Sequence, residues 1–210
     1  MLPFLASLAI AGAAAVILPD LYRRHRLGRQ VAQLRRDAQQ IGNAHQYIEL
    51  GEACRAGGDW AGAAQAFETA VSKDPEALAA RWGLALARFK QERYDEAETL
   101  LRTILVADRR YKFGDVSLLL GKTLASRKKL RELADHMSEH VKLWRQPEGL
   151  YLLATAQRDL GQTQAATRTL DGLLLDLEQN PRRQFATTLM WKRRARRLRG
   201  EITAGSWRRY

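Results

Sequence analysis

The chain has 210 residues, with 35 lysines and arginines against 23 acids and a net charge of +12. Its one cysteine, Cys54, excludes an internal disulfide and a cysteine-rich metal site. Alanine, leucine, arginine and glutamine dominate and β-branched residues are sparse, which predicts an all-α chain: one domain with appendages.

Leu2 to Leu18 is uncharged. With Leu21 and Tyr22 it approaches the ~20 apolar residues that cross a bilayer. No lysine or arginine precedes it, whereas Arg23, Arg24, His25, Arg26, Arg29, Arg35 and Arg36 come after it. That asymmetry predicts an uncleaved single span over residues 1–22 in a bacterial inner membrane, with the bulk of the chain cytoplasmic. A cleaved signal peptide, favoured by the small residues from Ala11 to Ala15, and a periplasmic location are the alternatives. Residues 23–43 read as a basic linker helix whose stripe is Leu27, Val31, Leu34, Ala38 and Ile41, at steps of four, three, four and three. It either packs on the helices that begin at Ala44 or forms a stalk, being too short to establish a coiled coil.

Two helical patterns lie between Ala44 and Pro75. Tyr47, Leu50, Gly51 and Cys54 recur at helical spacing, as do Ala63, Phe67 and Ala70. Gly57-Gly58-Asp59 breaks the pattern as a tight turn between antiparallel helices would, and Lys73-Asp74-Pro75 ends the second helix. Gly51 and Ala63 are small where the helices approach, and Phe67 fills the gap.

This segment resembles a tetratricopeptide repeat, a 34-residue unit in which a bulky, leucine, small and bulky residue line one helix and alanine, aromatic, alanine and proline occupy the next. The period continues. A second unit over residues 78–111 carries Leu84, Ala85, Tyr94, Ala97, Leu101 and Ile104, with Trp82 one place later than the usual bulky residue and Arg109 in place of proline. A third, over 114–147, is degenerate: Leu120, Gly121, Leu124, Leu130 and Met137 are in phase, but Leu133 and His140 replace alanines, so its helices are expected further apart. The fourth, over 147–180, shows Leu150, Leu153, Ala154, Gly161, Ala166, Leu170 and Leu173, closed by Pro181. The resemblance implies a right-handed superhelical solenoid of antiparallel helix pairs. A capping helix from Gln184 to Ile202 buries Trp191, Ala195, Leu198 and Ile202 and exposes arginines, with a frayed tail after it.

His136-Met137-Ser138-Glu139-His140 spells one zinc-peptidase pattern. Its place inside the second helix of the third repeat makes His140 a packed core residue, and no third ligand is apparent. No phosphate loop or nucleophile motif occurs. The chain therefore reads as a binder and not an enzyme, with no cofactor.

The resemblance implies that the first helices of the repeats line a concave groove. Mapping that phase onto this chain selects Ile48, Glu52, Trp82, Leu86, Phe89, Leu118, Lys122, Tyr151, Thr155 and Arg158. Ile48, Trp82, Leu118 and Tyr151 are large and apolar, so the expected partner is a protein or peptide with apolar anchors, leaving Lys122 and Arg158 for an acidic group. The alternative for each is packing between repeats. The basic surface of Arg23, Arg24, Arg26, Lys192, Arg193, Arg194 and Arg197 is a solvated face or a contact with anionic lipid headgroups. Nucleic acid ranks last, since no recognised nucleic-acid module is present. The layout of anchor then repeats resembles bacterial inner-membrane scaffolds of envelope-complex assembly.

Overall fold

The computed structural model describes residues 25–179 and 185–207. Leu2–Leu18, Arg23 and Arg24 lie outside the described residues. Among the described residues no helix is long and apolar enough to cross a membrane.

Every described element is helical. After α1 (residues 25–41) come α2 (Ala44–Ala56), α3 (Trp60–Lys73) and α4 (Leu78–Lys90). The chain continues through α5 (Tyr94–Ala107), a short turn (Tyr111–Gly114), α6 (Asp115–Ser126), α7 (Leu130–Leu143), α8 (Pro147–Asp159), α9 (Thr163–Gln179) and α10 (Phe185–Trp207). It forms two compact units, divided after Arg93.

One turn geometry recurs along the chain. Gly58, Glu92, Lys128 and Gly161 each adopt positive φ after a helix of 12 or 13 residues. The next residue's N–H then donates to the carbonyl five residues back: Asp59 to Cys54, Arg93 to Arg88, Lys129 to Leu124, Gln162 to Gln157, at 2.8 to 3.0 Å. This closure satisfies carbonyls that a helix end otherwise leaves bare, and it reverses the chain. Side chains set the starts of α2, α3 and α8. Asn43 and Asp59 accept the N–H of Gln46 and Gly62, and Pro147 stands in the first turn of α8, where its missing donor is harmless.

In the first unit α3 packs against both α2 and α4. Phe67 of α3 is fully buried, its ring lying over Gly51 of α2 and Gly83 of α4. A Cβ on Gly51 would meet that ring at 2.7 Å, and one on Gly83 would lie closer still. The gap behind Phe67 therefore has two glycine walls. On α1, Ala38 is fully buried and a Leu27 methyl lies against Gly57, but Ile41 is 59% exposed. The expected stripe fails at its last member because α1 stops there and Gly42 turns the chain at φ 71°.

The second unit repeats the device with different side chains. Met137 of α7 lies over Gly121 of α6 and reaches Gly149 of α8, which also faces the imidazole of His140. Leu133 and His140, standing where the first pair has alanines, are both buried. Helix α10 packs on α9 and α8 and buries Trp191, Ala195, Leu198 and Ile202 against Leu150, Ala154, Ala166, Leu170, Leu173 and Leu177. It continues to Trp207, past Ser206, where the sequence suggests fraying.

Charge is also organised inside this unit. Glu98 of α5 is almost entirely buried and receives Arg102 (Nε, 3.0 Å), Lys129 (Nζ, 3.0 Å) and Arg127. Burial opposes its negative charge, but the hydrogen bonds from Lys129, Arg102 and Arg127 outweigh burial and hold the carboxyl below its usual value.

Candidate functional site

In the first unit, Ile48 and Glu52 lie one turn apart on α2, and Trp82, Leu86 and Phe89 share a face of α4. The two helices are neighbours. All five side chains are partly exposed. Glu52 accepts a 2.7 Å hydrogen bond from Arg55 Nε on its own helix.

In the second unit, Leu118 and Lys122 lie on α6, and Tyr151, Thr155 and Arg158 on α8. Both cations expected to face a partner have carboxylate neighbours within this unit. Lys122 Nζ is 2.9 Å from Glu148. Arg158 donates to Asp159 at 2.8 Å and to Glu201 of α10 at 3.5 Å. Thr155 donates to the Tyr151 carbonyl at 2.9 Å, inside its helix. The Tyr151 ring lies 5.6 Å from Trp191, and the Arg194 guanidinium lies over the Trp191 ring at 5.1 Å. Helix α10 brings Trp191 and Glu201 onto α8. A small apolar pocket of about 250 Å³ remains between Leu118, Pro147, Leu177 and Trp191. Periodicity placed Trp191 on a buried stripe; it carried no signal for which helix the stripe would cover.

The histidine pair resolves into a packing cluster. His136 Nε2 donates to the Ser117 carbonyl at 2.9 Å, and the Ser117 hydroxyl lies 3.0 Å from His140 Nδ1. Both rings are thereby aimed at α6. Burial, then the neighbouring His136, lowers the His140 pKa to about 4, and burial lowers that of His136. Glu139 pairs with Lys142 at the rim of the cleft that the histidines also line. Among the described residues no three His, Cys, Asp or Glu side chains are grouped to hold a metal ion. The cleft, of about 340 Å³, is left by α5, α6 and α7 and lined by Leu105, Val106, Arg109, Leu143 and Trp144 as well as the histidines. Burial pushes the Cys54 thiol up, which keeps it protonated.

Of the basic residues, Arg26 is exposed on α1. On α10, Arg193, Arg194 and Arg197 are exposed and Lys192 is half-buried. Arg197 donates to Glu201 at 3.0 Å, while Arg193 and Lys192 reach no carboxylate among the described residues.

Residues 55–122 match the tetratricopeptide repeat family. Similar folds occur in solved structures. One is MamA (residues 41 to the end) from Desulfovibrio magneticus RS-1, 17% identical, with a TM-score of 0.68 over 77% of this chain and 90% of that one. A second MamA crystal structure is 15% identical, with a TM-score of 0.69 over 73% and 90% of the two chains. YrrB, described as a tetratricopeptide protein with an unusual peptide-binding site, is 14% identical with a TM-score of 0.60, covering 83% of this chain and 97% of its own. No curated protein matches the sequence.

Proposed function

Taking the tetratricopeptide-repeat fold as premise, we propose that the chain is a membrane-anchored scaffold in envelope-complex assembly that binds a protein or peptide partner through the exposed faces of its first helices. The observation that carries this is the set of large apolar side chains left partly exposed on adjacent helices, Ile48 on α2 with Trp82 and Leu86 on α4. Aromatic anchors of this kind commonly dominate peptide recognition. The peptide-binding site attributed to YrrB lends the same direction to the reading. Because Tyr151 lies against Trp191, and Lys122 and Arg158 already have carboxylate neighbours, the reading puts recognition first on the first unit.

A photo-crosslinking residue placed at Leu86 is expected to capture a defined membrane-associated protein, and Trp82→Ala to abolish that product without unfolding the chain. The same probe at exposed Ser72 on α3 gives the background. Identical products from Leu86 and Ser72 reject the assignment. A reporter fused after Tyr210 reads the sidedness.

The second reading uses the basic face of α10 on anionic lipid or nucleic acid, and rests on the carboxylate-free Arg193 and Lys192. It requires binding that weakens steeply with salt and disappears on charge reversal at Arg193, Arg194 and Arg197.

A further inference from the structure

The turn between α5 and α6 is built in an unusual way. Lys112 and Phe113 both take left-handed backbone geometry, at φ 54° and 50°, and Gly114 comes next at φ 95°. Three such residues in a row, two of them with side chains, are a conformation that chains avoid unless the surroundings impose it. The surroundings here are Trp144, whose ring lies against Gly114 where any Cβ would collide with it, at 2.7 Å. The base of the turn is therefore pinned. Its outward product is Phe113, 87% exposed, when an ordinary turn could have carried a polar residue.

Phe113 is not isolated. Trp144 beneath the turn lines the cleft shared by Val106, which is 89% exposed, and Leu143, which is half exposed. Arg109 lines the same cleft, and Arg110 and Lys112 follow it along the turn. Arg109 comes only within 4.0 Å of Glu139, which is already held by Lys142. The side chains of Arg110 and Lys112 reach no carboxylate among the described residues, and Lys112 lies 5.7 Å over the Tyr111 ring. The one acid in this run, Asp108, is occupied by the Arg110 backbone N–H at 2.8 Å.

We propose that the Arg109–Phe113 turn, with Val106 and Leu143, is a membrane-contact tip that inserts Phe113 into the interface of an anionic lipid surface. A protruding aromatic in one turn with three cations, two of which reach no carboxylate among the described residues, fits a bilayer interface, where the ring enters the acyl boundary and the cations meet headgroup phosphates. A protein partner would more commonly receive such anchors in a pocket or offer carboxylates of its own, and the test separates the two. The proposal stands apart from the scaffold reading: it uses other residues and would survive that reading's failure.

The test uses the full chain with Phe113→Cys carrying an environment-sensitive fluorophore. Cys54 is buried and is expected to stay unlabelled, as the unsubstituted chain will show. On phosphatidylcholine vesicles with added phosphatidylglycerol, the emission is expected to shift to the blue and to be quenched by a lipid-tethered quencher. Lys112→Gln or Arg110→Gln should each lower the ratio of inserted to exposed label about fivefold, the factor corresponding to one basic residue at an anionic surface. A second label at Val106→Cys, combined with Phe113→Asn, keeps a residue tolerant of left-handed geometry and removes only the ring; its quenching should fall. A label that stays in water on anionic vesicles, whether or not the chain sediments with them, overturns the proposal. So does an equal response on phosphatidylcholine alone, or shielding that appears only when polyglutamate is added, which would assign the tip to an acidic polypeptide.

Discussion

Lys128 holds φ 56° at the place where Gly58 and Gly161 turn the first and last pairs. Left-handed geometry costs a side-chain-bearing residue about 1–2 kcal/mol, and glycine gives back only part of that through its looser unfolded state. Because Lys128 is exposed, Lys128→Gly is expected to raise stability by about 0.5–1 kcal/mol, read as a higher urea midpoint at unchanged slope. Arg127→Gly, at ordinary negative φ one residue earlier, should lower it. A second prediction at this scale concerns acid. His140 titrates near 6.5 when unfolded and at about 4 when folded, so the unfolded chain binds the proton first and stability falls as pH drops through that window. The loss approaches about 3 kcal/mol below the folded value. His136, also depressed, adds to it, while Asp115 opposes it. Glu98 acts lower: its stabilisation is present above its unfolded value near 4.5 and is lost as pH falls below that. Urea midpoints measured from pH 7 to pH 4 should therefore decline in the wild type and flatten in His140→Leu. A wild-type profile that stays level over that range refutes the assignment of neutral histidines.

Among the elements, α3 shows how a helix pair is locked. Phe67 is seated between Gly51 and Gly83, and neither wall has room for a methyl group. Alanine at position 83 gains about 1 kcal/mol of helix propensity, yet it must displace a fully buried ring, so Gly83→Ala is expected to lose about 1–3 kcal/mol net. Phe67→Leu also destabilises, by opening a void, but the double variant should recover part of both losses. Additivity within about 0.5 kcal/mol in that cycle would show that the two sites do not touch. The same helix shows what the sequence can reveal. Gly51, Ala63 and Phe67 lie on one periodic pattern, and their packing can be inferred from spacing. Gly83 belongs to the next repeat, where it is overshadowed by Trp82 and Leu84, and it shows its role only when α3 is seen against α4. The candidate binding face divides in the same way. Periodicity selects Ile48, Trp82 and Leu86, and all three are partly exposed. It cannot pair Lys122 with Glu148, or Arg158 with Glu201 forty-three residues away, because charge partners on separate helices obey no repeat. The tip at Phe113 is equally silent: nothing in the spelling announces two consecutive left-handed residues.

For the molecule as a whole, the decisive helix is α10, since a stack of pairs ends in an apolar face that something must cover. Its buried stripe closes the core of the second unit, and Trp191 additionally settles on Tyr151. These two roles can be separated. Trp191→Ala and Leu198→Ala each remove a large buried side chain from the same helix and should each cost about 3–5 kcal/mol. Only the first uncovers Tyr151. If α10 both caps the core and masks the face of α8, a photo-crosslinker at Thr155 is expected to stay silent in the wild type and in Leu198→Ala, and to capture partner in Trp191→Ala under conditions where all three are folded by circular dichroism. Capture at Thr155 already in the wild type would mean that α8 is open and that recognition extends into the second unit. Silence in all three would mean that the face of α8 is a packing surface, with Ile48, Trp82 and Leu86 carrying recognition on their own.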